Sequence, residues 1–263
     1  MKIVSDGIIV TDAAEPTIVI YDSQTDDEME DLLGQLKQMQ MLILIAGCAG
    51  LAEAFAEHIC FEQTAAKPAV VNSDFLAVCG SVNPITVRQI DYAVQHGFRR
   101  ISLNLRQKLE RDYFFSAQGE AELLSIIEEV AQSPRCILDA YDNPDEESAL
   151  EYAEHCGISR EELRVRIFES LGYVVRRLTE AGVRRAMMIT GGDTLLAFMN
   201  QVGVCEMSSI REMAPDLSEV AIRGRPYSII SKSGGFGGEE LLLLLAEQFK
   251  YGGLQWRRCF EPA

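Results

Sequence analysis

The sequence predicts an α/β protein with three layers (α/β/α), in which helices cover both faces of a largely parallel or mixed central sheet. Short apolar runs alternate along the chain with amphipathic helix patterns, an order typical of parallel strands joined by crossover helices. In addition, 48% of the 263 residues are hydrophobic, which is enough for a sizeable core in one large domain or two small ones.

The strand assignments come from short apolar runs that end at glycine, proline or polar turn residues. In chain order, these runs are 17–22, 41–47, 74–81, 99–105, 135–142, 185–192, 219–224 and 226–235. The helix patterns are an acidic one from near Thr25, then 51–59, 84–97, 159–181 and 193–203, and a leucine-rich one after 235. The long pattern is expected to stop at Gly182, because glycine commonly terminates helices.

The composition argues against several classes of function. The formal net charge is −16, from 40 acidic and 24 basic residues, which disfavours binding to nucleic-acid phosphates or to anionic membranes. The longest uncharged apolar run, 41–52, is shorter than a membrane span, and the N-terminus lacks the apolar core of a signal peptide. Seven dispersed cysteines predict reduced thiols in the cytoplasm, and three distant histidines predict no zinc site.

Four segments share one pattern, in which an apolar strand leads through a glycine turn into a helix. They read "ILIAGCAGLAEAF", "LAVCGSVNPITVRQI", "MMITGGDTLLAF" and "IISKSGGFGGEELL". Glycine lets the backbone approach a ligand closely, and a helix start offers free N–H groups to an anion, most simply a phosphate. The standard nucleotide motifs are absent: there is no GxxxxGK[ST], and after Gly235 and Gly237 the sixth position of GxGxxG is Glu240. Packing alone remains an alternative for any one of these turns.

Five polar side chains accompany these turns, and four of them have two interpretations. Lys232 is either a phosphate ligand or an ordinary exposed lysine. Asp193 is either an N-cap or a carboxylate that binds magnesium or accepts a proton beside a nucleotide. Thr194 either caps the helix or donates to phosphate, Ser81 is either a cap or a ligand contact, and Thr190 ends its strand.

Three of these segments, in this order, identify a family resemblance. "VCGSVNPITVRQI", "ITGGDT" and "SKSGGFGGEELL" resemble the C-terminal nucleotide-binding region of the four-carbon acid sugar kinases. "IVIYDSQTDDEMEDLL" and "GCAGLAEAF" resemble the stretch just before that region, so the match covers nearly the whole chain. Such kinases phosphorylate tetronates or 3-oxo-tetronates with ATP, and they are expected to use Mg²⁺.

The resemblance implies a site for the ATP phosphates. The residues that match the family motifs are Ser81, Gly191, Gly192, Asp193, Thr194, Gly234 and Gly235. Lys232 is added from the sequence pattern as a nucleotide-binding residue, and Asp193 is the candidate for catalytic or metal-linked chemistry.

Two departures from the family pattern affect the expected function. The chain has no Asp-Asp-x-Thr-Gly motif, which belongs to the acid-sugar-binding portion, and Cys48 stands where the family usually has serine.

The chain is therefore expected to be the ATP-binding half of such a kinase, weak or inactive alone, with the acid-binding half missing or encoded elsewhere. Residues 1–66 are assigned to the end of the acid-binding portion or to a lead-in, and 67–263 to the nucleotide-binding domain, although the two could form one compact domain.

The alternative function is that of a non-catalytic nucleotide-binding module or partner subunit. A dinucleotide-binding dehydrogenase is disfavoured by the failed glycine motif. An exposed apolar patch is expected to drive self-association or pairing with a separate acid-binding subunit.

Overall fold

The computed structural model describes residues 2–4, 17–38, 45–58, 74–80, 83–142, 145–214 and 216–251. The chain divides into two units, Met1–Thr64 and Ala65–Ala263. The first unit contains the parallel strands β1 (Lys2–Val4) and β2 (Thr17–Val19) and the helices α1 (Asp26–Gln38) and α2 (Ala49–His58). Most of the strand predicted at 41–47 lies outside the described residues, and its described part, 45–47, is coil.

The second unit is built on a mixed sheet. Its strands are β3 (Phe75–Cys79), β4 (Arg99–Ser102), β5 (Arg135–Asp139), β6 (Ala186–Thr190), β7 (Met207–Ala214), β8 (Leu217–Ile222) and β9 (Ser228–Lys232). Their order in the sheet is β4-β5-β3-β6-β9-β8-β7. The first five in this order run parallel, and β8 runs antiparallel to both β9 and β7. The predicted fold class is confirmed.

Helices cover both faces of this sheet. They are α3 (Pro84–Gln95), α4 (Leu105–Leu109), α5 (Ala117–Gln132), α6 (Ala149–His155), α7 (Arg160–Glu180), α8 (Gly192–Val202) and α9 (Leu241–Tyr251). Strand β3 shows the division between the faces, because its side chains alternate. Leu76 and Val78 join a buried cluster with α5, α7 and α8, whereas Phe75 and Ala77 join a second cluster with α3 and α9. The result is a three-layer α/β/α unit.

Local sequence explains where the helices beside the site begin and end. Helix α3 begins at Pro84, a favoured first position, and the Asn83 side chain accepts a hydrogen bond from the Ile85 N–H. The long helix α7 ends at Glu180, and Gly182 follows with a φ of +77°, as the sequence predicts. Among the described residues, no helix combines the length and the apolar character needed to cross a membrane.

Candidate functional site

The carboxyl ends of the parallel strands form a single row of side chains. Strand register aligns Ser102, Asp139, Cys79, Thr190 and Lys232 across five neighbouring strands. From β3 the chain continues through α3 to β4, on one side in the strand order, whereas from β6 it continues through α8 to β7, on the other. Such divergence makes the edge between β3 and β6 the expected ligand crevice of an open α/β sheet.

The turns after β3, β6 and β9 lie against one another at this edge. A Cβ atom on Gly80 would come within 2.1 Å of the Thr194 hydroxyl oxygen, so the first turn packs directly on α8. The Gly191 N–H donates to the Lys232 carbonyl at 3.1 Å, which joins the second turn to the third. A Cβ atom on Gly235 would lie 3.2 Å from the Asn83 side-chain nitrogen, which brings the third turn to the start of α3. The three glycine segments, which are far apart along the chain, thus lie together at one edge of the sheet.

The second turn leads through glycine into the start of α8. Gly191 is the N-cap of α8, with φ +95° and ψ 130°, a conformation that residues with a Cβ atom rarely adopt. A Cβ atom on Gly192 would meet no atom within 4 Å, so this position is open. The hydroxyls of Thr190 and Thr194 are buried and have no hydrogen-bond partner among the described residues. Unpartnered buried donors beside a helix start are suited to a ligand oxygen.

The third turn is held by side chains that bind its carbonyl groups. The Gln89 amide nitrogen donates to the carbonyls of Phe236, Gly237 and Gly238 at 2.9–3.0 Å. The Thr86 hydroxyl donates to the Gly234 carbonyl at 2.7 Å. Sequence reasoning missed both α3 residues. The sequence pattern that could have revealed them is a pair of polar side chains, three residues apart, on the apolar face of an amphipathic helix.

Lys232 is buried at the end of β9, so the alternative of an ordinary exposed lysine is wrong. Its Nζ donates to the carbonyls of Ser233 and Gly234 at 2.9 and 3.3 Å. Burial lowers the pKa of Lys232, because removal from water disfavours the charged form. None of the ion pairs formed by the described residues includes it. A buried cation in this situation is suited to an incoming anion.

Asp193 is exposed on the first turn of α8, and its carboxylate lies 3.4 Å from an Arg164 side-chain nitrogen. The N-cap alternative for Asp193 is wrong, since Gly191 occupies that position and makes no side-chain cap bond. A cavity of about 270 Å³ opens beside it. Its lining includes Cys79, Gly80, Tyr141, Phe168, Gly191 and Asp193. An exposed carboxylate, a helix start and a cleft with aromatic walls therefore adjoin one another.

On the β4–β5 side of the row, the polar side chains form a closed ionic network centred on Asp139. This fully buried carboxylate accepts two hydrogen bonds from Arg100, at 2.7 and 3.2 Å, one from the Ser102 hydroxyl and one from the Tyr141 N–H, both at 3.0 Å. Its hydrogen bond to Arg100 raises the pKa of that guanidinium. Burial, with the Asp139 charge second, raises the pKa of Cys79 to about 12, so this thiol stays protonated. The sequence pattern included Asp139 in a strand but did not single it out.

The predicted site residues thus fall into three groups. Gly191, Gly192, Thr194 and the exposed Asp193 surround the start of α8. Lys232, Gly234 and Gly235 form the third turn. Ser81 lies outside the described residues. Whether these residues bind a nucleotide stays a prediction.

Comparison with known proteins identifies the family. The model of the nucleotide-binding C-terminal domain family matches residues 76–242, more than half of the chain. D-threonate kinase from Salmonella typhimurium is 25% identical over 245 residues, which cover 90% of this chain and 53% of that enzyme. The 3-oxo-isoapionate kinase of Paraburkholderia graminis is 25% identical over 185 residues, which cover 66% of this chain and 38% of that enzyme.

A solved structure supports the fold. A tRNA synthase candidate from Salmonella typhimurium LT2 superposes with a TM-score of 0.64 at 20% identity, over 86% of this chain and 51% of that chain. This likeness concerns the fold alone. The chain belongs to the nucleotide-binding C-terminal domain family, and its resemblance to the C-terminal part of the four-carbon acid sugar kinases is confirmed. It spans about half the length of D-threonate kinase.

Proposed function

We propose, with membership of this family as the premise, that the chain is the ATP-binding half of a kinase that phosphorylates four-carbon acid sugars of the tetronate or 3-oxo-tetronate type. The observation that carries the proposal is the meeting of three glycine turns at the carboxyl edge of β3, β6 and β9. Gly80 packs on Thr194, and Gly191 binds the Lys232 carbonyl. Backbone donors are concentrated there, as the binding of a polyphosphate requires.

The phosphates would lie between the start of α8 and the third turn. The first N–H groups of α8, from Gly192 onward, have no partner within the helix and point at its N-terminal end. The buried hydroxyls of Thr190 and Thr194 supply further donors. Lys232 supplies positive charge beneath Gly234. These groups neutralise charge and fix geometry, which are the main contributions of a protein to phosphoryl transfer.

Mg²⁺ would be held mainly by the nucleotide. The described residues contain no cluster of three or more His, Cys, Asp or Glu side chains able to hold a metal ion. This fits Mg²⁺, which commonly takes one or two carboxylates, phosphate oxygens and water. Asp193 is the exposed carboxylate at the start of α8, whereas Asp139 is committed to its own network. When bound, Mg²⁺ neutralises phosphate charge, and Asp193 is the candidate for its ligand or for the proton acceptor.

The alternative is a non-catalytic nucleotide-binding module or the partner subunit of a split enzyme. The observation that favours it is the family match, since the matching model describes a nucleotide-binding domain. We propose that acid sugar binding is provided elsewhere and that the chain self-associates or pairs with an acid-binding subunit. The exposed apolar side chains of Val165 and Leu196, on neighbouring helices α7 and α8, are compatible with such pairing. A cytoplasmic location stays a prediction.

Thermal unfolding with and without ATP–Mg²⁺, with NAD as control, tests nucleotide binding. A ligand at about 100 times its dissociation constant stabilises the folded state by roughly 2.7 kcal/mol. For a domain of this size the unfolding midpoint should rise by about 5–10 °C. A rise with ATP–Mg²⁺ alone is expected, and an unchanged midpoint would contradict the proposal.

A second experiment separates the kinase from the non-catalytic module. The acid-binding portion of D-threonate kinase is added in trans, and transfer of phosphate from ATP to D-threonate is measured. Turnover that depends on both proteins supports the kinase half. Nucleotide binding without turnover favours the module.

A further inference from the structure

The peptide groups of the loop 233–238 are held in place by side chains that lie on one side of it. Five of its six carbonyls accept hydrogen bonds from side chains: Ser233 and Gly234 from Lys232, Gly234 also from Thr86, and the other three from Gln89. The three donor side chains are all buried beneath the loop. The loop carbonyls therefore point inward, toward α3 and the end of β9.

Inward carbonyls fix the direction of the N–H groups. The described peptide bonds are all trans, and in a trans peptide the carbonyl of one residue and the N–H of the next point in opposite directions. The N–H groups of residues 234, 235, 237, 238 and 239 therefore point away from the three side chains. Among the described residues, none of these N–H groups donates a hydrogen bond. Successive outward N–H groups form a concave anion-binding surface.

Gln89 contributes most to this arrangement. Its amide nitrogen has two hydrogens and faces three carbonyls, so one hydrogen is shared. Because all three partners are acceptors, the nitrogen must face the loop, and the side-chain oxygen then has no partner among the described residues. A buried, unpartnered acceptor is unfavourable. Gln89 therefore has a cost for folding, because its oxygen is buried without a partner among the described residues. The benefit that accompanies this cost is the donation of its amide nitrogen to the loop carbonyls.

We propose that Gln89, assisted by Thr86, is a positioning residue that holds the carbonyls of the 233–238 loop inward, so that the loop N–H groups face the phosphates of the nucleotide. This inference rests on the proposed function, because it needs a polyphosphate in the site. Gln89 itself does not touch the nucleotide. It sets the free energy needed to arrange the loop before binding.

The test compares two matched substitutions of buried glutamines. Gln89→Met keeps the length of the side chain and removes the donor. Gln107→Met does the same at a buried glutamine of α4, where the amide donates to Glu122 far from the loop. Calorimetric titration gives the dissociation constant for ATP–Mg²⁺. Amide hydrogen exchange without nucleotide reports the order of the loop through the N–H groups of Ser233 and Leu241, which donate to the carbonyls of Asp216 and Gly238. Thermal unfolding confirms that each variant is folded.

We expect Gln89→Met to weaken ATP–Mg²⁺ binding by on the order of tenfold or more, because several hydrogen bonds are lost together. Exchange of the Ser233 and Leu241 N–H groups should accelerate, whereas Gln107→Met should change neither their exchange nor the dissociation constant. Thr86→Val should weaken binding about fivefold, and Thr86→Ser, which keeps the hydroxyl, should restore it. This pair keeps the test decisive where Gln89→Met does not fold.

The outcomes separate the two proposals. If the unmodified chain binds no ATP–Mg²⁺, the proposed function fails and the positioning role fails with it. If the unmodified chain binds and the donor-deleted variants, Gln89→Met or Thr86→Val, bind equally well, the positioning role alone is overturned. Accelerated exchange together with weaker binding, and restoration by Thr86→Ser, support it.

Discussion

The two halves of the carboxyl edge of the sheet use the same kinds of groups in opposite ways. On the β4–β5 side, the Asp139 carboxylate, Arg100 and the Ser102 hydroxyl satisfy one another. On the β6–β9 side, the Thr190 hydroxyl has no partner among the described residues, and Lys232 has no carboxylate within ion-pair distance there. The first half gains stability from its polar groups, whereas the second leaves its donors available. The difference indicates where a ligand is needed to complete the hydrogen bonding.

The largest expected effect comes from breaking the closed half. Asp139→Ala should lower the free energy of unfolding by about 3 kcal/mol, because it removes a buried carboxylate and leaves Arg100 and the Tyr141 N–H without their acceptor. Chemical denaturation measures this change. The control is Asp193→Ala, which removes an exposed carboxylate paired with Arg164 at 3.4 Å and should cost less than about 0.5 kcal/mol. Similar losses for both variants would contradict the distinction between the two halves.

Asp139 also shows what the sequence can and cannot reveal. The alternation of apolar runs and helix patterns predicted the parallel strands, since the central strands β3, β5 and β6 are almost wholly buried and largely apolar. Strand β7 was missed because it lies at the sheet edge, where half of its eight residues are exposed and one is buried, which leaves little hydrophobic pattern. The glycine turns were recognised because glycine marks positions where the local backbone conformation or a close contact excludes a Cβ atom.

The partners of the site residues could not be predicted from the sequence. Asp139 binds an arginine 39 residues away, and Gln89 binds carbonyls about 148 residues away. Such contacts depend on strand order and register, which local patterns do not define. The burial of Lys232 was hidden for a related reason, since it depends on β8 and α3 covering the end of β9.

A smaller effect is expected on the open half, from the backbone. Gly191→Ala should lower the free energy of unfolding by about 2 kcal/mol, because a Cβ atom strains the backbone at φ +95°. The neighbouring Gly192→Ala should leave stability unchanged or raise it by about 0.5 kcal/mol, since the added Cβ meets no atom and helical glycine is unfavourable. Denaturant unfolding of both variants measures this contrast.

Gly192→Ala has a second expected result that concerns the ligand. If phosphate approaches the start of α8, the added methyl group should reduce the rise in unfolding midpoint that ATP–Mg²⁺ produces. An undiminished rise would show that the position is open for reasons other than nucleotide binding.

Two substitutions that each remove one hydroxyl group compare the two halves of the edge directly. Ser102→Ala removes a hydroxyl that donates to Asp139 at 3.0 Å, and it should cost about 1 kcal/mol. Thr190→Val removes a buried, unpartnered hydroxyl without a change of shape, and it should raise the free energy of unfolding by about 1 kcal/mol. Opposite signs in ligand-free unfolding are the expected outcome. Equal signs would mean that the Thr190 hydroxyl is satisfied without a ligand.

The smallest effect concerns the charge on Lys232 and its dependence on pH. Lys232→Met should stabilise the ligand-free protein at neutral pH, on the order of 1 kcal/mol at most, because it removes a buried cation. Burial lowers the pKa of Lys232 below the ordinary value of 10.5. As the pH rises through this lowered value, the folded protein releases a proton that the unfolded chain retains. The unmodified protein therefore gains stability relative to the variant.

The advantage of Lys232→Met should accordingly shrink between neutral pH and about pH 10. Paired denaturation curves measure it, and the difference between the two proteins cancels the titration of other groups. With saturating ATP–Mg²⁺ the order should reverse at neutral pH, because the phosphates bring negative charge to Nζ, which has no carboxylate of the described residues within ion-pair distance. A variant that stays more stable with nucleotide bound would mean that Lys232 serves the loop carbonyls alone. The open half of the edge would then bind its ligand through backbone N–H groups and hydroxyls.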